Sequence, residues 1–188
     1  MKRKHFLRFI GIVPFIINSA KARARGKTIE DEIAPLCKTN RDAEGPFYKA
    51  EAPERTIIET DGTPLTIEGK VVNGADCKTP VANAIIDVWH CRKNGEYDME
   101  GFKGRGQLKT DTKGNYRFTT IFPPPYSGRP RHIHFKIRGA GFSELTTQLY
   151  FEGDPSIQND FARNAEKSRV IALKGGNDSK KGVFDFYV

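Results

Sequence analysis

From Thr56 to Val188 the chain is a succession of short runs rich in β-branched and aromatic residues, cut at regular intervals by turn chemistry. Leu65–Val72 alternates apolar with polar residues and ends at Asn73-Gly74, a turn pair. Ala84–Trp89 is a compact apolar run, and Thr110–Asn115 is a turn that leads into the alternating run Tyr116–Ile121. His132–Arg138, Thr146–Phe151, Arg169–Leu173 and Val183–Val188 follow, and only Ser156–Lys167 reads as mildly helical. Seven short strands at this spacing predict an all-β antiparallel sandwich or barrel over 56–188. The 13 phenylalanines supply the bulk that fills a two-sheet core. Residues 25–55 are polar and irregular, with Pro35, Pro46 and Pro53, and read as an N-terminal arm.

Residues 1–24 have a different composition. Lys2, Arg3, Lys4 and Arg8 precede the apolar run Phe9–Ile17, and small residues then offer cleavage after Ala20, Ala22 or Ala24. That order is the pattern of an export signal, and it predicts a periplasmic or extracellular protein. Arg3–Arg8 is similar to a twin-arginine signal with lysine in the second place. The apolar run is too short for a transmembrane helix and contains Pro14, so no stable membrane anchor is expected. Six of the 31 basic residues stand in 1–24 with no acid, and the other 25 nearly balance 23 acidic residues. The high isoelectric point therefore belongs mostly to the leader, and no nucleic-acid partner is expected.

Cys37, Cys77 and Cys91 have no Cys-x-x-Cys spacing, which argues against a zinc or redox pair. In an oxidising compartment two of them bridge. Cys77 and Cys91 follow two runs that read as neighbouring strands, so they are the expected pair; the alternative is three buried thiols.

Side chains alternate across a strand, so His132 and His134 share one face while Ile133, Phe135 and Ile137 take the other and face the core. Tyr126 follows three prolines and precedes Ser127-Gly128, which places it in a rigid loop; Tyr97 follows the turn Asn94-Gly95-Glu96. Two imidazoles with two phenols make a donor set for a hard, highly charged cation such as Fe(III). Each residue alone has a plainer reading, as a surface histidine or as a packed tyrosine with a wet hydroxyl. Arg129, Arg131, Lys136 and Arg138 surround these four and either attract an acidic substrate or are simply solvated.

Taken together, a longer series of residues resembles the intradiol ring-cleavage dioxygenases, the family of protocatechuate 3,4-dioxygenase and catechol 1,2-dioxygenase. The series runs Glu44-Gly45-Pro46-Phe47-Tyr48, Trp89, Gly95, Tyr97, Gly106-Gln107, Thr110-Asp111, Gly114-Asn115-Tyr116 and Phe118–Ile121. It continues with Tyr126, Arg129-Pro130, His132–Phe135 and Thr147–Pro155. The resemblance implies an immunoglobulin-like or prealbumin-like β-sandwich holding Fe(III) on Tyr97, Tyr126, His132 and His134. It also implies a catechol-type substrate, O₂ as co-substrate, and a cis,cis-muconate-type product. Tyr126 would act as the base, Arg129 would stand beside the substrate ring, Gln148 near the iron pocket, and Gly45 and Pro46 along the substrate cavity. Homo- or hetero-oligomers are implied as well. The Trp89-His90-Cys91 form and the leader resemble secreted members, whereas Gln148–Pro155 looks more like the protocatechuate enzymes. Two readings from other classes stand beside this one: a secreted prealbumin-like module that binds small aromatics without catalysis, and a zinc or copper hydrolase.

Overall fold

The computed structural model describes residues 37–188, so the leader and the first part of the arm lie outside the described residues. Two five-stranded sheets face each other. In the first, β1 (Pro64–Val72) pairs antiparallel with β4 (Asn115–Ile121). Its other edge takes β9 (Lys180–Val183) and β10 (Phe186–Tyr187) in parallel, and β8 (Lys174–Gly175) lies beyond β9. The second sheet has the order β3 (Arg105–Lys109), β2 (Ile85–Trp89), β5 (His132–Arg138), β6 (Leu145–Phe151), β7 (Val170–Ile171). Its central pairings are antiparallel, and only the short β7 joins in parallel. The expected sandwich is therefore present, with parallel pairings confined to short flanking strands.

Alternation decides what each strand buries. Leu65 and Ile67 of β1, Tyr116 and Phe118 of β4, Ile86 and Val88 of β2, and Ile133, Phe135 and Ile137 of β5 meet in one apolar core. Phe184 and Phe186 close it against Phe135, with ring centroids 5.7 and 5.1 Å away. Deleting one such ring costs about 3–5 kcal/mol, the sum of lost transfer energy and the cavity left behind. The run Val183–Val188 splits into β9 and β10 at Phe184-Asp185, yet both halves keep one register against β1. The interruption sits against Gly69, where any Cβ would come within 1.9 Å of the Phe184 carbonyl oxygen. There Asp185 Oδ1 accepts from the Lys70 amide at 2.8 Å.

Two elements differ from the sequence reading. The stretch 156–167 forms separate 3₁₀ turns at Pro155–Asn159 and Phe161–Asn164, with a third at Lys167–Arg169. Asp154 and Asp160 each accept from the amide two residues on, so Asp160 starts a new turn instead of continuing the first. The strand Arg105–Lys109 had no sequence signal. Its core-facing Gly106 leaves room for Ile58, whose Cδ1 would lie 2.3 Å from a Cβ there.

The expected Cys77–Cys91 bridge is not formed. Cys37 and Cys77 make the disulfide, with Cα atoms 5.4 Å apart, and Cys91 is a buried free thiol. Cys77 follows β1 and Cys91 follows β2, and these strands lie in different sheets rather than side by side. Burial pushes the Cys91 thiol up to about 11. The bridge fastens the arm beside the C-terminal strand, where Thr39 and Tyr187 exchange two further hydrogen bonds. Non-reducing peptide mapping should find Cys37 joined to Cys77 and Cys91 unlabelled until unfolding. Reduction should lower unfolding free energy by about 2–4 kcal/mol in urea titrations. A Cys77–Cys91 peptide would contradict this arrangement.

Candidate metal centre

The second sheet buries both faces. Its inner face is the apolar core; its outer face carries His132, His134 and Lys136 of β5, Trp89 and Asp87 of β2, and Gln148 and Tyr150 of β6, all buried. The arm lies over this face and keeps it from water. Register places Trp89 and Gln148 on either side of His134, and Tyr150 beside His132. Trp89 stacks on the His134 ring at 4.8 Å and 10°, and the two histidine rings lie 4.8 Å apart.

His132 Nδ1 lies 2.7 Å from the Pro130 carbonyl oxygen, an acceptor that fixes the proton there and leaves the Nε2 lone pair free. Nε2 is 3.1 Å from Tyr97 Oη. Tyr97 is delivered by the turn 92–96, in which Gly95 at φ 79° donates to the Arg92 carbonyl at 2.9 Å. Tyr126 begins a two-residue turn in which Ser127 (φ 47°) and Gly128 (φ 79°) are both left-handed, closed by the Arg129 amide on the Tyr126 carbonyl at 2.8 Å. The Tyr97 and Tyr126 rings meet edge to face at 5.1 Å, and Tyr97 meets His134 at 6.1 Å. Tyr97 thus faces each of the other three residues.

The donor chemistry fits a hard cation. Burial pulls His132 down to about 4 and His134 well below the usual histidine range, so both present neutral nitrogens. His134 Nδ1 is buried without a hydrogen-bond partner, which is costly for a polar atom left to itself. Burial raises the Tyr97 phenol, so ionising it requires a cation close by. Among the described residues no three His, Cys, Asp or Glu side chains gather into a metal-binding group, so the phenols are needed to complete any donor set.

The other expected site residues are placed less directly. Gly45, at φ 71°, lies on the arm above His134; a Cβ there would be 3.6 Å from Cε1. Pro46 follows it on the exposed side. Gln148 donates to the Ala43 carbonyl at 2.6 Å and accepts from Tyr150 Oη at 3.0 Å, so it secures the arm. Arg129 is paired with Asp160 at 3.1 Å, reaches Tyr150 Oη at 3.3 Å and lies over the Phe161 ring. The remaining basic residues are also neutralised: Arg131 by Asp154, Lys136 by Glu44 and Glu144, Arg138 by Asp87. Sequence reasoning missed the role of Phe47, which stacks on Tyr97 at 4.3 Å and meets Tyr126 edge-on at 5.2 Å. It also missed Asp87, whose carboxylate accepts from Tyr48, Gln107 and Arg138 at 2.7–2.9 Å and so pins the arm at Tyr48. A lone aspartate inside an apolar run was the available signal.

A family model described as dioxygenase matches residues 43–187. The chain belongs to the intradiol dioxygenase family. It is 37% identical over 165 residues to catechol 1,2-dioxygenase 2 of Acinetobacter lwoffii, covering 72% of this chain and 59% of that one. It is 30% identical to the chlorocatechol 1,2-dioxygenase of Pseudomonas sp. strain P51, covering 86% and 75%. Among solved structures, the dioxygenase domain of a dioxygenase carbohydrate-binding protein fusion from Streptomyces sp. SirexAA-E superposes with a TM-score of 0.74 at 37% identity, covering 80% and 97%. Several of the curated relatives it matches are longer, and the chain spans about three fifths of their length.

The buried histidines make the metal-free protein acid-sensitive. His90, held between the Cys91 carbonyl and Thr120 Oγ1, is pulled down to about 4 by burial, as His132 is. Unfolded histidine titrates near 6.5, so between about 6.5 and 4 the unfolded chain binds more protons and stability falls as pH falls. Each of the two contributes on the order of 3 kcal/mol over that window. The urea midpoint of metal-free protein should drop steadily from pH 7 to pH 4.5; a flat profile would refute the burial of these neutral rings.

Proposed function

We propose that this protein is an Fe(III)-dependent intradiol dioxygenase that opens the ring of a catechol with O₂ to a cis,cis-muconate-type diacid. The observation that carries the proposal is the convergence of two phenols and two neutral imidazoles around Tyr97. Tyr97, Tyr126, His132 and His134 would hold the metal. Ferric iron, when bound, supplies the Lewis acidity that draws electron density from a catechol's oxygens and opens the ring to O₂. Tyr126 is the less buried phenol and sits on a two-residue turn; its Oη is the group placed to take a proton from a catechol hydroxyl. Phe47 covers both phenol rings and limits water around them. Arg129 closes the Tyr126 turn with its amide, and its guanidinium, held by Asp160, would be the charge that steadies the substrate ring.

The preferred substrate in this reading is a catechol without an anionic ring substituent. Among the described residues, Arg129, Arg131, Lys136 and Arg138 each already face a carboxylate, and Arg105 is spent on the Asp98 and Phe47 carbonyls, so none of these five is left over for a ring carboxylate. The names of the relatives, catechol and chlorocatechol 1,2-dioxygenases, support the same choice. We also place the protein outside the cytoplasm. The Cys37–Cys77 disulfide supports an oxidising compartment, as does the three-part pattern of residues 1–24. Fractionation of cells expressing the full chain would decide the location.

Purified protein should carry iron, show a visible phenolate-to-iron band that shifts on adding catechol, and consume O₂ with catechol faster than with protocatechuate. Tyr97→Phe and His134→Ala should each reduce bound iron by at least roughly tenfold, since even losing a residue that only supports a ligand costs about that much. A fully iron-loaded but colourless protein would sink the proposal. Catechol binding without oxygen uptake would favour a binding module instead.

A further inference from the structure

Arg105 is 1% exposed, among the largest fully buried side chains of the protein. It stands on the outer face of β3, at the edge of the second sheet. Its Nε donates to the Asp98 carbonyl at 3.0 Å, one Nη to the Phe47 carbonyl at 2.5 Å, and the other Nη faces Met99 Sδ at 3.4 Å. Among the described residues no carboxylate lies within ion-pairing distance of it. Asp98 turns its own carboxylate away, onto the amides of Glu100, Gly101 and Lys103. The contrast with the other buried cations is sharp: Arg129, Lys136 and Arg169 each have a carboxylate partner. A buried guanidinium spent on backbone carbonyls is costly to keep, and burial indeed pulls its proton affinity down.

Those carbonyls belong to the two walls of the donor cluster. Asp98 adjoins Tyr97 in sequence, and Phe47 stacks on the Tyr97 ring at 4.3 Å. We propose that Arg105 is a positioning residue: its planar fork sets the Tyr97 loop and the Phe47 arm in one register, and so fixes where the Tyr97 phenol stands. A lysine carries the charge but offers one compact head, which does not span two carbonyls held by different segments. Lys49 ties the same segments from the solvent side, through the carbonyls of Met99 and Glu100, and leaves the ring stack to Arg105.

The consequence for iron rests on the function proposed above, but the local register does not, so two measurements separate them. In native-state trypsin digestion of the full chain, Arg105→Gln and Arg105→Lys should both speed cleavage after Lys49 and after Arg92 or Lys93 by roughly tenfold or more, the expected loss for charge-assisted hydrogen bonds. Cleavage after Arg117 in β4 should keep its wild-type rate. In iron-loaded protein the same variants should displace the visible band and raise KM for catechol more than they lower kcat. Unchanged cleavage at both walls, or an equal rise at Arg117, would overturn the proposal, the latter because it marks general destabilisation. If Arg105→Gln does not fold, Arg105→Lys decides, since it keeps the buried charge and removes only the fork. A colourless wild type would overturn the iron reading and leave the digestion result to decide on Arg105.

Discussion

The alternation of β5 is the constraint on which the molecule turns. A strand has two faces, and His132–Arg138 commits one to the core with Ile133, Phe135 and Ile137. The other is left with His132, His134, Lys136 and Arg138. A sandwich normally exposes its outer faces to water, but this one is covered by the arm. The polar row is thereby placed in surroundings where imidazoles stay neutral and the Tyr97 phenol resists ionisation. A slip of one residue in register would send the histidines into the apolar core and the isoleucines under the arm. The six-residue pairing with β6 and the five-residue pairing with β2 hold that register from both sides.

Covering a charged face calls for partners, and apart from Arg105 its buried cations find carboxylates. Lys136 meets Glu44 and Glu144, and its ammonium lies 3.9 Å from the Tyr48 ring centroid. Arg169 pairs with Asp42 and Glu166, and Asp42 in turn accepts from Tyr150 at 3.0 Å. Such buried pairs contribute little net stability, because desolvation offsets most of the attraction, but breaking one is costly. Their effect here is to specify where the arm sits. Glu44, Tyr48 and Asp42 are all arm residues held by partners on the sheet, so the same network that neutralises the face also positions Gly45 and Phe47 over it.

Much of this was legible in the sequence, for reasons that differ from element to element. β5 was readable to the residue because strict alternation has one physical meaning. β1 and β4 were readable within a residue or so for the same reason, and β2 and β6 as short runs rich in β-branched and aromatic residues. β3 was not, because Gly106 and the polar Arg105, Gln107 and Lys109 leave Leu108 as its only apolar residue. The strand is held by pairing with β2 on one edge and by backbone bonds from Gln107 to Pro53 and Arg55 on the other, partners distant in sequence. The cysteine pairing failed because it depends on which sheet a strand joins, and local pattern does not carry that. The four donors were individually ambiguous. They became a site only through the family pattern, and the geometry now supplies the contacts that pattern could not. Arg129 and Gln148 were singled out by the family pattern, but the bonds from Arg129 to Asp160 and Tyr150 and from Gln148 to Ala43 cross 31, 21 and 105 residues and leave no local trace.

The way the arm is held has a physical consequence of its own. The Asp42 amide bonds to the Thr146 carbonyl, and the next backbone bond from the arm to a sheet is at Pro53. Between them, among the described residues, the arm is fastened to the sheets only by side chains: Gln148 on Ala43, Lys136 on Glu44, Arg105 on Phe47 and Asp87 on Tyr48. A segment without ladder bonds opens at lower free energy than the strands beneath it. Phe47, on this segment, stacks on the Tyr97 ring and meets Tyr126 edge-on. The cover over the donor cluster is therefore the part of the fold best able to yield, while β5 below it, paired on both edges and packed on both faces, holds the two histidines fixed.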